Sequence, residues 1–190
     1  MTIGITGGIG SGKSYVSDIL RRKFGIPVYD CDKEAKRLTA TDGEIRKKLI
    51  SLVGPEVFER QTLNRKHLAD YLFANAENAS RINAIVHPAV QKDFLRWRKQ
   101  QASKIVALES AILFESGFNK HVDKVLFVDA PEEVRIQRAI RRDTATEEQI
   151  RARMKMQQPE QHRIQADFII DNSTTDDTKL LEQLEENLLQ

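Results

Sequence analysis

Eight residues, Gly7-Gly8-Ile9-Gly10-Ser11-Gly12-Lys13-Ser14, satisfy the spacing G-x-x-x-x-G-K-[ST] and follow at once a short apolar run, Thr2-Ile3-Gly4-Ile5-Thr6. Their chemistry is that of a phosphate cradle. Glycines let successive backbone N–H groups converge on one anion. A lysine at Lys13 reaches the β- and γ-phosphates of a nucleotide, and a hydroxyl at Ser14 is placed to ligate Mg²⁺. The amphipathic run that follows (Val16, Ile19, Leu20) reads as a helix, whose positive end adds to the same site. The residues therefore point to a nucleoside triphosphate site.

Three further groups could do chemistry beside that loop. Asp30-Cys31-Asp32 follows a second apolar run. If the segment stays extended, alternation sends Asp30 and Asp32 to one side, and Asp32 is a candidate to accept or orient an acceptor hydroxyl's proton. One of these aspartates could instead cap a helix at Lys33. Ile105-Val106-Ala107-Leu108-Glu109 is a buried strand ending in an acid. Glu109 could hold Mg²⁺ through water, position an acceptor, or pair with a basic helix. From residue 135 to 163 there are seven Arg and one Lys against four carboxylates, a local excess of four positive charges. Arg138 and Arg142 stand four apart on one helix face, with Arg135 and Arg153 nearby, as a closing lid over phosphates would need; a solvated basic face is the plainer alternative.

These residues need a frame. The strand candidates are 2–6, 27–29, 105–108, 125–128 and 168–170, separated by helical stretches, as parallel strands require. Helices are expected at 13–24, at 131–142 and, behind a Thr146/Gln149 capping box, up to about residue 157. A last one over 176–189 presents Leu180, Leu181, Leu184, Leu188 and Leu189 on one face. The gap from Asp32 to Lys104 is too long for one crossover. It reads as a helical insertion with helices near 33–39, 44–53, 64–74, 77–86 and 88–101, the last two broken at His87-Pro88. His87 packs, caps or contacts a ligand. Tyr71, Phe94 and Trp97 form core, although an aromatic there could stack on a ligand.

Composition narrows the class. A chain of 190 residues carries a core with an inserted subdomain. A formal net charge of +2 gives no support for a nucleic-acid partner, and no apolar run reaches the ~20 residues that span a bilayer. A strand starting at residue 2 leaves no room for a signal peptide, and the one cysteine, Cys31, excludes an internal disulfide. The expectation is a cytoplasmic protein. Its oligomeric state stays open. No Cys/His set has metal-ligand spacing. A GTP-dependent switch is disfavoured because D-x-x-G is missing, and Asn119-Lys120-His121-Val122-Asp123 is one residue too long for N-K-x-D.

Taken together, Thr6 to Ser14, Asp30-x-Asp32, His87-Pro88, Leu113-Phe114-Glu115, Arg138-x-x-x-Arg142-Asp143 and Ala166-Asp167-Phe168-Ile169-Ile170-Asp171-Asn172 resemble the dephospho-CoA kinase family, in order and over nearly the whole chain. The resemblance implies an α/β fold: a P-loop NTPase-type five-stranded parallel sheet flanked by helices, with a helical substrate-binding insertion and a small helical lid. It implies a nucleotide core over 1–31, 104–134 and 165–190, a CoA-substrate domain over 32–103 and an Arg-rich lid over 135–164. It implies ATP-dependent phosphorylation of the 3′-hydroxyl of dephospho-CoA with Mg²⁺, another small-molecule kinase of the P-loop class being the alternative. ATP would be held by Gly8, Gly10, Ser11, Gly12, Lys13, Ser14 and the backbone of Tyr15. The catalytic group would be Asp32 as base with Lys13, Arg138 and Arg142; Asp32, Arg65, Tyr71, His87 and Glu109 would meet the acceptor. Tyr15 replaces a usual Thr, Glu109 a usual Asp, Cys31 a common Ala, and Asn64-Arg65 an Asp-Arg pair.

Overall fold

The computed structural model describes residues 1–188 except 144, 156, 158 and 175, so Leu189, expected on the apolar face of the last helix, lies outside the described residues. The chain divides into two compact units, one of residues 1–29 with 102–190 and one of residues 30–101.

The first unit is organised by β1 (Thr2–Thr6), whose five residues are all buried. A strand without polar–apolar alternation fits only a position covered on both faces, and β1 is the central strand. Around it the sheet runs β2-β5-β1-β6-β7, with β2 at Val28–Asp30, β5 at Val106–Glu109, β6 at Lys124–Asp129 and β7 at Phe168–Asp171. β1 pairs in parallel with β5 and β6, and β6 with β7. Apart from one-residue shifts at the ends, these are the five expected strands. The register sets Ile5 opposite Glu109, so the acid that ends β5 lies beside the end of β1 where the glycine loop begins.

Helix α1 (Lys13–Phe24) buries Val16, Ile19 and Leu20 against Ile3, Ile5 and Leu126, then stops at Gly25, whose N–H donates to the Leu20 carbonyl. The basic residues Arg21, Arg22 and Lys23 occupy its last turn, where the helix dipole favours them. Helix α9 (Asp177–Leu188), named in chain order, adds Leu180, Leu184 and Leu188 at four-residue steps to the same core. Between β6 and β7 lie α6 (Glu132–Arg142), α7 (Glu147–Lys155) and α8 (Pro159–Ile164). Helix α7 begins at the expected capping box: Gln149 N–H donates to Thr146 Oγ1 at 3.3 Å, and Thr146 N–H to Gln149 Oε1 at 3.0 Å.

The second unit contains α2 (Cys31–Thr41), α3 (Gly43–Val53), a short hairpin of β3 (Phe58–Glu59) and β4 (Thr62–Leu63), α4 (Arg65–Ala74) and α5 (Ala76–Lys99). Each helix opens on an Asp or Asn whose side chain accepts from the first turn, as local sequence dictates. Asp30 accepts from Lys33, Asp42 from Glu44 and Ile45, Asn64 from His67 and Asn75 from Asn78.

One expectation fails here. His87-Pro88 does not separate two helices; α5 runs unbroken through Pro88 for 24 residues. Ile82, Val86, Val90 and Phe94 are all buried at four-residue steps on either side of the proline. Proline inside a helix costs about 3 kcal/mol. Burying each of these side chains returns roughly 1.5–3 kcal/mol, and only a continuous helix keeps all four in line. Pro88 itself lies on the exposed face, as does Ala84, whose carbonyl loses its partner and can turn to water.

Candidate active site

Residues 7–14 wrap from β1 into α1 as the spacing requires. Gly10 and Gly12 take φ of +76° and +96°. A side chain at Gly10 would run into the Arg135 backbone, and one at Gly12 into the Asn172 amide, so both positions require glycine on two counts. The Lys13 ammonium donates to the carbonyls of Gly7 at 2.8 Å and Gly8 at 3.1 Å. Ile9, the one large apolar residue in the loop, packs on a small core of Ile136, Ala139 and Ile150 from α6 and α7. Its N–H donates to Gln157 Oε1 at 2.9 Å.

Ser14 Oγ donates to Glu109 Oε1 at 2.6 Å, and Glu109 is only 7% exposed. A serine hydroxyl has one proton and two lone pairs. With the proton committed to Glu109, both lone pairs are left to face a cation. The bond ties the Ser14 hydroxyl to Glu109, the residue expected to meet the acceptor. An oxygen-only pair with one carboxylate suits a hard cation such as Mg²⁺ that keeps most of its other ligands from phosphate and water. Among the described residues no cluster of three or more His, Cys, Asp or Glu is placed to hold a metal by itself.

Arg138, expected as a lid cation, turns back onto the loop: Nη1 donates to the Asn172 carbonyl at 2.8 Å and lies 3.5 Å from the Ser11 carbonyl. One turn before it, Arg135 lies against Gly8, with its Nε buried and unpaired among the described residues. Arg142 and Arg153 instead share Asp143, with nitrogen–oxygen distances of 2.9 and 2.6 Å. Their two guanidiniums hold the Asp143 carboxyl far below the ordinary 3.8. Arg151 ties α7 to the start of α6 through Glu132 and Glu133. Arg163 Nε bonds Asp129 Oδ2 at 3.0 Å. Of the arginine-rich stretch, then, Arg135 and Arg138 lie against the loop, while Arg142 and Arg153 are gathered on Asp143.

Tyr15, the first residue beyond the loop, is partly exposed, and its hydroxyl donates to Asp177 at the start of α9. That carboxylate pushes the phenol above its ordinary 10.0. Asn172 and Gln157 touch the loop without having been singled out as site residues. Asn172 follows the last strand of a parallel sheet, where ligand sites gather, and that position was the available signal. Gln157 had none, because nothing in its neighbourhood marks it as reaching Ile9.

In the second unit the strand ends at Asp30 and α2 begins at Cys31, so Asp30 and Asp32 do not alternate on an extended segment. Asp30 is the cap, accepting from Lys33 N–H at 2.9 Å, and Asp32 stands exposed in the first turn of α2. Cys31 is buried. Arg65 is the exposed first residue of α4, and Tyr71 lies half-buried on the same helix. His87 is half-buried on α5, and burial lowers its imidazole from the ordinary 6.5. Phe94 and Trp97 stack with ring centroids 6.1 Å apart.

Against known proteins, the family model described as dephospho-CoA kinase matches residues 1–177. A dephospho-CoA kinase of Bacteroides fragilis is 49% identical over 172 residues, covering 90% of this chain and 83% of the relative. Among solved structures, the Thermus thermophilus protein TT1252 is 33% identical with a TM-score of 0.86, covering 100% of this chain and 96% of that one. A dephospho-CoA kinase of Campylobacter jejuni, 24% identical with a TM-score of 0.67, covers 97% and 94% and adds a likeness of fold. The alternative of another small-molecule kinase of the P-loop class is not favoured by these matches. A P-loop joined to Glu109 through Ser14, on a five-stranded parallel sheet and with relatives along almost its full length, places the chain in the dephospho-CoA kinase family.

Proposed function

We propose that this chain transfers the γ-phosphoryl group of ATP to the 3′-hydroxyl of dephospho-CoA, giving CoA and ADP, the last step of CoA biosynthesis. The donor half is supported above all by the loop itself, with Lys13 held over the Gly7 and Gly8 carbonyls and Ser14 bonded to Glu109. The acceptor half follows from family membership.

The residues divide the work as follows. Gly8, Gly10, Ser11, Gly12, Lys13, Ser14 and Tyr15 form the cradle for the ATP phosphates, and the Lys13 ammonium offsets charge that spreads onto the transferring oxygens. Ser14, oriented by Glu109, is the protein ligand for Mg²⁺, which when bound neutralises phosphate charge. Asp32 takes the proton of the 3′-hydroxyl as its oxygen bonds to the γ-phosphorus and the bond to the β-γ bridging oxygen breaks, releasing ADP. Arg65, Tyr71 and His87 contact the acceptor. Arg142, freed from Asp143, brings charge and excludes water on closure. We assign the nucleotide core to 1–31, 104–134 and 165–190, the acceptor domain to 32–103 and the lid to 135–164. No helix among the described residues is long and apolar enough to cross a membrane; we place the protein in the cytoplasm, acting on small molecules without nucleic acid.

The test is an acceptor panel. ADP release from ATP and Mg²⁺ should depend on dephospho-CoA. Stimulation by adenosine, nucleoside monophosphates or shikimate with none by dephospho-CoA would overturn the reading.

A further inference from the structure

The Ser11 carbonyl is held from outside the loop by two groups. Asn172 Nδ2 donates to it at 2.7 Å, and Arg138 Nη1 lies 3.5 Å away while donating to the Asn172 carbonyl at 2.8 Å. Asn172 is itself fixed. It is 4% exposed, and its N–H donates to the Asp129 carbonyl at the end of β6 at 2.8 Å.

A trans peptide places its C=O and N–H on opposite edges of one plane, and there are no cis peptide bonds among the described residues. With the Ser11 oxygen drawn toward Asn172, the N–H of Gly12 is turned away from it. That N–H has no protein acceptor among the described residues. At φ +96°, Gly12 brings its Cα so near the Asn172 amide that a Cβ would collide with it, which keeps the anchor short.

We propose that Asn172, with Arg138 behind it, is a positioning residue for nucleotide: by holding the Ser11 carbonyl it aims the Gly12 N–H at phosphate. This rests on the reading of the loop as an ATP site. Neither side chain need touch the ligand. Arg138 thereby acts on the loop backbone and is not required as a mobile lid cation.

Asn172→Asp keeps the size of the side chain but sets an acceptor against the Ser11 oxygen, which turns the peptide. Binding of ADP, followed by calorimetry, should weaken about tenfold or more, the worth of a charge-assisted hydrogen bond. KM for ATP should rise with it, while KM for dephospho-CoA stays within about twofold, a split that a purely structural role would not produce. Arg138→Lys, which retains the charge but loses the fork, should move the same constants in the same direction by less. It decides the matter if Asn172→Asp does not fold. In the wild type, the Gly12 amide resonance should shift strongly on addition of ADP and should shift less in either variant. A lowered melting temperature with unchanged ADP affinity would overturn the proposal, as would an equal rise in both KM values. A wild-type chain that binds no ADP would remove the ATP reading and this inference with it; a wild type that binds ADP no better than the variants removes this inference alone.

Discussion

Glu109 offers the sharpest test of the donor site. Its Oε1 accepts the Ser14 proton at 2.6 Å in a setting only 7% exposed. A hydrogen bond to a charged group contributes about 1.5–3 kcal/mol, and a neutral one about 0.5–1.5. Glu109→Gln can still accept from Ser14 and so should lose about 1–1.5 kcal/mol of orientation, roughly tenfold in the Mg²⁺ concentration giving half-maximal rate. Glu109→Ala removes the whole bond and lets the hydroxyl rotate, for a shift of roughly 10- to 150-fold. The assay is the initial rate against free Mg²⁺ at fixed ATP, with metal-free ADP binding as the control. That control should hold or improve, because a buried negative charge beside the phosphates has been removed. Ser14→Ala should show the same Mg²⁺ shift, and the double variant should be no worse than the poorer single one, since both act through one bond. Unchanged Mg²⁺ dependence in Glu109→Ala, or an equal loss of ADP binding without metal, would refute the reasoning.

Asp32→Asn should lower kcat by about 10²–10⁴-fold while ADP affinity stays within about twofold; near-normal turnover would remove Asp32 as the base. Lys13→Ala should cost about 10²–10³-fold in kcat, as expected for an uncompensated phosphate charge, and steady-state kinetics that match the wild type would contradict the loop assignment. His87 gives a dependence on pH. Burial lowers its folded pKa below the ordinary 6.5, so the unfolded chain binds a proton more readily, and stability present above that value falls as pH drops through it. Urea midpoints between about pH 7.5 and 5.5 should fall less steeply in His87→Asn than in the wild type; parallel slopes would show that His87 does not contribute.

Much of this protein was legible as sequence, for reasons that are local. The glycine loop declares itself because backbone conformation and phosphate chemistry restrict the residue types at fixed spacing. The five strands are apolar runs between turn signals, and the Thr146/Gln149 box closes through hydrogen bonds that span three residues. The caps at Asp30, Asp42, Asn64 and Asn75 are local in the same way. The reading failed where distant parts compete with local rules. Pro88 is a helix breaker by its own chemistry, yet the buried stripe from Ile82 to Phe94 carries α5 straight through it. At Asp32 the contest was between two local rules: strand alternation placed it beside Asp30, but Asp30 caps α2 and the helix begins at Cys31.

The sequence by itself therefore determined that there is a phosphate loop, which strands and helices surround it, and which family pattern the whole chain follows. Tertiary structure alone decided how the loop is held. Glu109 meets Ser14 across 95 residues. Asn172 meets the Ser11 carbonyl across 161, and Arg138 faces the loop backbone. Spacing cannot encode such contacts: parallel strands adjacent in the sheet are far apart in the chain, and only their register brings the ends of β5 and β7 to the loop that follows β1.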